Sequence, residues 1–302
     1  MKRSLATDDI KKMMQDFYNK IEYQYNQKSL CNGIPTGFFD LDTLTGGIHP
    51  SELTIIAGRH SMGKTSFAIN ILANLITNKI PVLFVSYEMK RDFIATRMLS
   101  SFAEIDNVLL RTGHLRNQEW EKLASTMEEM LQIAESECLQ IISGCTLTWQ
   151  ELFDEIRYFS SNNPNGVVIV DYFQLIKLIG NEDRIVELSI LAGSIKRLAI
   201  ELDIPIVLLS QVTKKLREQQ NKHPNLEDLA ECDALAQHAD NVVFIYRDSY
   251  YEPSKDLEDD STRKNTAEII IAKQKNGPTG TINLLYQDNI CKFKNVIKVD
   301  AF

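Results

Sequence analysis

The chain has 302 residues, 44% hydrophobic and 25% charged, with a net charge of −8, a composition ordinary for a soluble globular protein of one large or two small domains. That charge excludes a surface coated in lysine and arginine for gripping nucleic acid, although a local basic channel is compatible with it. No apolar run approaches the roughly 20 residues that span a bilayer, and the N-terminus "MKRSLATDDIKKMMQDF" lacks a signal-peptide core, so a cytoplasmic protein with no membrane partner is expected.

Residues 8–27 place Ile10, Met13, Met14, Phe17, Tyr18 and Ile21 on one helical face. Such a stripe must be covered by the chain's own body or by a neighbour, and the sequence favours neither. A linker over 28–32 follows. From Leu53 onward, apolar runs alternate with helical patterns. The runs "LTIIA" (53–57), "PVLFVS" (81–86), "LQII" (139–142), "VVIVD" (167–171), "PIVLLS" (205–210) and "NVVFIY" (241–246) read as strands. Helical patterns occupy 64–78, 90–103, 117–135, 148–161 and 184–202. Strands apolar throughout and separated by helices predict an α/β fold with a mainly parallel sheet covered on both faces. The tail from Ala267 to Lys298 reads as two or three further strands around the Gly277-Pro278 and Gly280 turn, and 213–224 and 251–265 read as loops. Five cysteines, at 31, 138, 145, 232 and 291, lack metal-ligand spacing and are expected to be free thiols.

"GRHSMGKT" fits G-x-x-x-x-G-K-T from Gly58 to Thr65, after a strand and at the opening of a helix. Gly58, Arg59, His60, Ser61, Met62, Gly63, Lys64, Thr65 and Ser66 are therefore the candidate nucleotide-binding loop, with backbone N–H groups and a helix N-terminus facing phosphate. In such a loop Lys64 reaches the β- and γ-phosphates of ATP, and Thr65 binds Mg²⁺. Asp171, ending the strand "VVIVD", is the expected second metal residue. Glu88, just past "PVLFVS", is the candidate for orienting and deprotonating water. Gln211, after "PIVLLS", is placed to sense the γ-phosphate.

"GIPTGFFDLDTLTGG", "GRHSMGKT", "SYEM", "VDYFQL", "IPIVLLSQ", "FIYRDSYY" and "IIIAKQKNGPTG" resemble, in order and spacing, the ATPase domain of DnaB-type replicative DNA helicases. The likeness covers about residues 33–296. It implies a RecA-like P-loop NTPase domain over 33–302 behind a linker helix (1–32) that docks on the adjacent subunit. It also implies a hexameric ring with ATP between subunits and single-stranded DNA in the channel, moved 5′ to 3′. Lys64, Thr65, Glu88, Asp171 and Gln211 fall on the family's nucleotide-site positions, and Arg97 matches an arginine that reaches toward the phosphates. Lys273 and Lys275 match the family's trans-acting cations, which enter the neighbour's ATP site. A helicase loader or primase is a further partner class of the family.

Three departures accompany the resemblance. The family's N-terminal domain, which forms a collar and meets primase, has no counterpart in residues 1–302. The family's channel-loop stretch D-L-R-E-S-G reads "DLAECD" here: Ala230 replaces a cation, Glu231 is retained and Asp233 replaces glycine. The nearby Lys214, Lys215, Arg217 and Lys222 are the candidates for compensating that lost phosphate contact. Lys275 stands where the family has an arginine finger, and ammonium lacks the planar two-pronged contact of guanidinium, so slower hydrolysis with retained ATP binding is expected. Two readings stay open: a DNA-translocating helicase motor, and a non-unwinding DnaB-like ring ATPase acting as a replication accessory.

Overall fold

The computed structural model describes residues 7–27, 31–135, 137–178, 183–213, 222–229, 233–250 and 265–296. Six strands form the parallel part of the sheet: β1 (Leu53–Gly58), β2 (Val82–Ser86), β3 (Leu139–Ser143), β4 (Val167–Asp171), β5 (Ile206–Gln211) and β6 (Asn241–Tyr246). Three more, β7 (Thr266–Gln274), β8 (Gly280–Gln287) and β9 (Lys292–Asn295), continue it antiparallel. The order is β3-β2-β4-β5-β1-β6-β7-β8-β9, so the expected mainly parallel sheet and C-terminal strands are both present.

The parallel strands carry runs of apolar residues because both faces of the sheet are covered, and β2 and β4 are buried at every position. On one face Leu53, Ile55, Val168 and Val170 pack with Leu152, Ile156 and Phe159 of α7 (Trp149–Asn162) and Leu191, Ile195 and Leu198 of α8 (Arg184–Leu202). On the other, Ile56, Val167 and Ile169 pack with Phe67 and Leu72 of α3 (Lys64–Thr77) and Ile94 and Met98 of α4 (Arg91–Ala103). Period-two alternation along each strand thus divides the core into two layers. A helix α6 (Asn117–Glu135) lies where its apolar periodicity predicts it. The short helices α2 (Phe39–Thr45), α5 (Asn107–Thr112) and α9 (Asp233–His238) were not expected: one to two turns show no complete apolar period.

The N-terminal helix α1 (Thr7–Gln27) leaves its stripe uncovered among the described residues: Met13, Met14, Phe17 and Tyr18 are 57–62% exposed. No described helix is long and apolar enough to cross a membrane. Cys31, Cys138, Cys145 and Cys291 are not disulfide-bonded, and Cys232 lies outside the described residues.

Candidate nucleotide site at the carboxyl edge of the sheet

Parallel pairing aligns the carboxyl ends of the strands. Gly58 of β1 is level with Gln211 of β5, and Ser86 of β2 with Asp171 of β4. The candidate residues at these strand ends, far apart in sequence, therefore share one edge of the sheet, where open α/β sheets bind ligands.

The loop from β1 to α3 turns through Ser61 (φ 64°) and Gly63 (φ 98°). The second position suits only glycine without strain, and a Cβ there would also lie 3.0 Å from Phe293 Cζ. Lys64 opens α3 and folds back, its Nζ donating to the Gly58 carbonyl at 2.8 Å and the Arg59 carbonyl at 2.9 Å. Burial pulls its pKa down to about 8, against the opposing pull of the Asp171 and Glu88 charges. The Met62 side chain is in the core, 1% exposed, so of that residue only the backbone can serve the loop.

Thr65 Oγ1 donates to Asp171 Oδ2 at 2.9 Å. Burial pushes the Asp171 carboxyl up to about 6; the Thr65 bond lowers it, the Glu88 charge raises it, and the Lys64 charge lowers it. Its Oδ1 is buried and has no hydrogen-bond partner among the described residues. Two hard oxygen donors, one carboxylate oxygen left unsatisfied, and space for phosphate alongside fit Mg²⁺, which takes one or two protein oxygens and completes its shell with phosphate and water.

Glu88 is exposed and among the described residues makes no hydrogen bond or ion pair. The turn beneath it is held by Tyr87 N–H to the Asp171 carbonyl (2.7 Å) and Met89 N–H to Ser86 Oγ (3.0 Å). Glu88, Arg97, Gln211, His60, Ser61, Gly63, Lys64, Thr65 and Ser66 line one cleft of about 720 Å³, large enough for a nucleoside triphosphate.

Several cleft residues were missed in the sequence. Arg247 and Tyr250 follow β6, the other neighbour of β1, and so reach the same edge. The Arg247 guanidinium lies 4.6 Å over the Tyr286 ring and 3.9 Å from Asp288 Oδ2, and Arg59 lies 5.9 Å over Tyr250. "FIYRDSYY" followed a predicted strand as Glu88 and Gln211 do, which was the available signal. Tyr286, Asp288 and Asn107 also line the cleft and carried no local signal. Gln174 was missed too: its Oε1 accepts from the Gln211 N–H at 3.3 Å and its Nε2 donates to Ser210 Oγ at 2.9 Å, fixing the end of β5.

Lys273 and Lys275 lie at the opposite edge of the sheet. β7 runs antiparallel to β6 with Gln274 beside Asn241, the first residue of β6, and Asp240 N–H donates to the Leu53 carbonyl at the start of β1. The six residues of β1, at about 3.3 Å each, put the pair roughly 20 Å from the candidate loop between β1 and α3 of their own chain. Within the chain they face the Ala236 and Gln237 carbonyls and the Asp240 carboxylate. The candidate DNA residues Lys214, Lys215, Arg217 and Glu231, and Ala230, lie outside the described residues. The described residues on either side are Gln211, which ends β5, with Val212 and Thr213 after it, and Asp233, which opens α9.

A family model described as "DnaB-like helicase C terminal domain" matches residues 33–295. The chain is 43% identical over 268 residues to the "Replicative DNA helicase DnaB" of Buchnera aphidicola subsp. Baizongia pistaciae, covering 87% of this chain and 56% of that protein. It is 37% identical to the protein of the same name from Geobacillus stearothermophilus, covering 98% of this chain and 63% of the relative. The chain thus spans about three-fifths of the length of these curated relatives. Among solved structures, one described as an ATPase domain aligns at TM-score 0.86 and 28% identity, covering 98% of this chain and 100% of that one. A DnaB-like replicative helicase, described with its interactions with primase, aligns at TM-score 0.83 and 29% identity, covering 95% and 66%. With the family model spanning residues 33–295 and relatives this similar over most of its length, the chain belongs to the DnaB-like helicase C-terminal domain family.

Proposed function

We propose that the chain is an ATP-hydrolysing motor of a ring-shaped replicative helicase, binding Mg²⁺ and ATP in the carboxyl-edge cleft and moving on single-stranded DNA. The observation that carries this reading is the orphaned Asp171 Oδ1 beside Thr65 and Lys64, in one cleft with a Glu88 that has no partner among the described residues. Lys64 exchanges the Gly58 and Arg59 carbonyls for phosphate oxygens, a gain for a desolvated ammonium. Thr65 and Asp171 hold Mg²⁺, which when bound neutralises charge on the phosphate oxygens. Glu88 orients the attacking water and accepts its proton, Gln211 contacts the γ-phosphate end through its amide, and Arg97 offers a second cation.

Lys273 and Lys275 cannot reach their own chain's cleft, so their role is in a neighbour's. A head-to-tail neighbour presents its phosphate edge to this chain's lysine edge, and repetition of that contact closes into a ring; the hexamer and the 5′ to 3′ direction rest on the family resemblance. The uncovered stripe of α1 fits the same assembly as its docking element. Lys214, Lys215, Arg217 and Glu231 are the proposed DNA contacts, on their place in the sequence. Primase or a loader is a partner class of the family, as the similar primase-interacting helicase illustrates.

The test is ATP turnover with and without single-stranded DNA, together with unwinding of a forked duplex. DNA-stimulated turnover and unwinding that both vanish in Lys64→Ala are the expected result. Turnover without any DNA affinity at low salt would refute the motor reading. It would support the second one, a non-unwinding ring ATPase, which the Ala230, Asp233 and Lys275 departures favour.

A further inference from the structure

Lys275 is held at both ends by one residue. Its backbone N–H donates to the Asp240 carbonyl at 3.0 Å, and its Nζ to Asp240 Oδ1 at 2.9 Å. The other carboxylate oxygen, Oδ2, accepts from Lys196 Nζ at 2.6 Å and from the Leu53 N–H at 2.8 Å. The Asp240 side chain is 8% exposed and that of Lys196 16%, whereas that of Lys275 is 43% exposed. Burial alone would raise the Asp240 carboxyl, but its bonds from Lys196, Leu53 and Lys275 hold it below the ordinary range, so it is an anion at neutral pH.

The charges then decide what the site can do. An acid paired with Lys275 alone would cancel the cation it holds. Here the enclosed Lys196 cancels Asp240, and the trio keeps one net positive charge, on the exposed member. An ammonium has three N–H donors, and the Asp240 contact uses one. Lys273 is anchored alongside, its Nζ donating to the Ala236 carbonyl at 2.6 Å and the Gln237 carbonyl at 3.2 Å. Both lysines are thus held by residues 236–240, the end of α9 and the two residues that lead into β6.

We infer that Asp240 is a positioning residue for the trans cation: it holds the Lys275 ammonium at the amino edge of the sheet, and Lys196 neutralises Asp240 so that the charge of Lys275 stays available to a neighbour's triphosphate. This rests on the proposed trans role of Lys275. It also gives a reason for a lysine to work where the family resemblance expects arginine: the anchor supplies the orientation that a planar fork would supply by its own shape.

The experiment compares steady-state ATP turnover of the full chain, at concentrations that support assembly, for Lys275→Ala, Asp240→Asn, Asp240→Asn/Lys275→Ala and Asp240→Asn/Lys196→Met. Thermal unfolding and binding of a fluorescent ATP analogue are followed in parallel. Lys275→Ala should lower kcat at least about tenfold with KM for ATP within about threefold. Asp240→Asn should reproduce most of that loss, and should add none in the Lys275→Ala background. Asp240→Asn leaves Lys196 unpaired; if it unfolds, Asp240→Asn/Lys196→Met, which removes both enclosed charges, carries the comparison and should show the same kcat loss. Parent-like turnover in that double variant with a slow Lys275→Ala overturns the positioning role and leaves the trans role standing. An equal further loss when Asp240→Asn is added to Lys275→Ala would mark Asp240 as merely structural. Parent-like turnover in Lys275→Ala overturns the trans role and this inference with it.

Discussion

Asp171→Asn tests the electrostatics of the cleft through stability as well as through activity. The Asp171 carboxyl, buried beside Thr65, has its pKa pushed from 3.8 up to about 6. A raised carboxyl binds its proton more tightly folded than unfolded, so the folded state loses stability as pH rises from about 4 to about 6. About two pKa units correspond to roughly 3 kcal/mol at most. Asparagine keeps the shape and cannot ionise, so the stability difference between variant and parent should move in favour of the variant by up to roughly 3 kcal/mol between pH 4 and pH 7. Taking the difference cancels the acids whose pKa is lowered, such as Glu104 with its two lysine partners, whose contribution runs the other way. Urea unfolding of both proteins at half-unit pH steps measures it. Mg²⁺ with a non-hydrolysable ATP analogue should stabilise the parent far more than the variant, because the carboxylate that burdens the bare fold is the proposed anchor of the metal. A stability difference flat from pH 4 to pH 7 would refute the reasoning outright.

Lys64→Met should abolish turnover while raising stability below pH 8: the lysine pKa is lowered to about 8, so its penalty is fully present below that and relieved as pH rises toward 10.5, as pH-dependent unfolding would show. Gly63→Ala combines φ 98° with a Cβ 3.0 Å from Phe293 and should cost more than about 1 kcal/mol in denaturant unfolding while losing nucleotide binding. Arg247→Ala, removing the guanidinium over Tyr286 at the cleft wall, should weaken ATP-analogue binding in titration with a Tm change of only a few degrees. Phe67→Ala, at a fully enclosed ring stacked on Phe38 at 4.9 Å, should destabilise by about 3–5 kcal/mol in the same unfolding assay.

The strands were legible because burial on both faces of the sheet favours runs of apolar residues, and each such run became a strand; the long helices were legible from their apolar periodicity. Strand order was not legible, since the pairing of β1 with both β5 and β6 is decided by packing between segments some 150 to 190 residues apart. The placement of the β1–α3 loop and Asp171 at one edge of the sheet could be read from local pattern plus the rule that strand ends carry ligands. Tyr286, Asp288 and Gln174 could not, because no spacing announces a residue brought in by an antiparallel extension or by a turn beneath a neighbouring strand. Asp240 escaped for another reason: an acid before a strand has an ordinary role as a turn residue, and its two lysine partners lie 44 and 35 positions away.

The placement of Lys273 and Lys275 follows from the direction of β7. A parallel seventh strand beside β6 would have carried its last residues to the carboxyl edge, into the cleft of its own chain. Because β7 runs antiparallel, the same residues finish at the amino edge, beside the start of β1 and α9. One change of strand direction therefore separates the β1–α3 loop from the two lysines by the height of the sheet. On the proposed reading, it also makes hydrolysis depend on a neighbour. A chain built this way has a reason to associate head to tail that its surface composition, net charge −8, does not reveal.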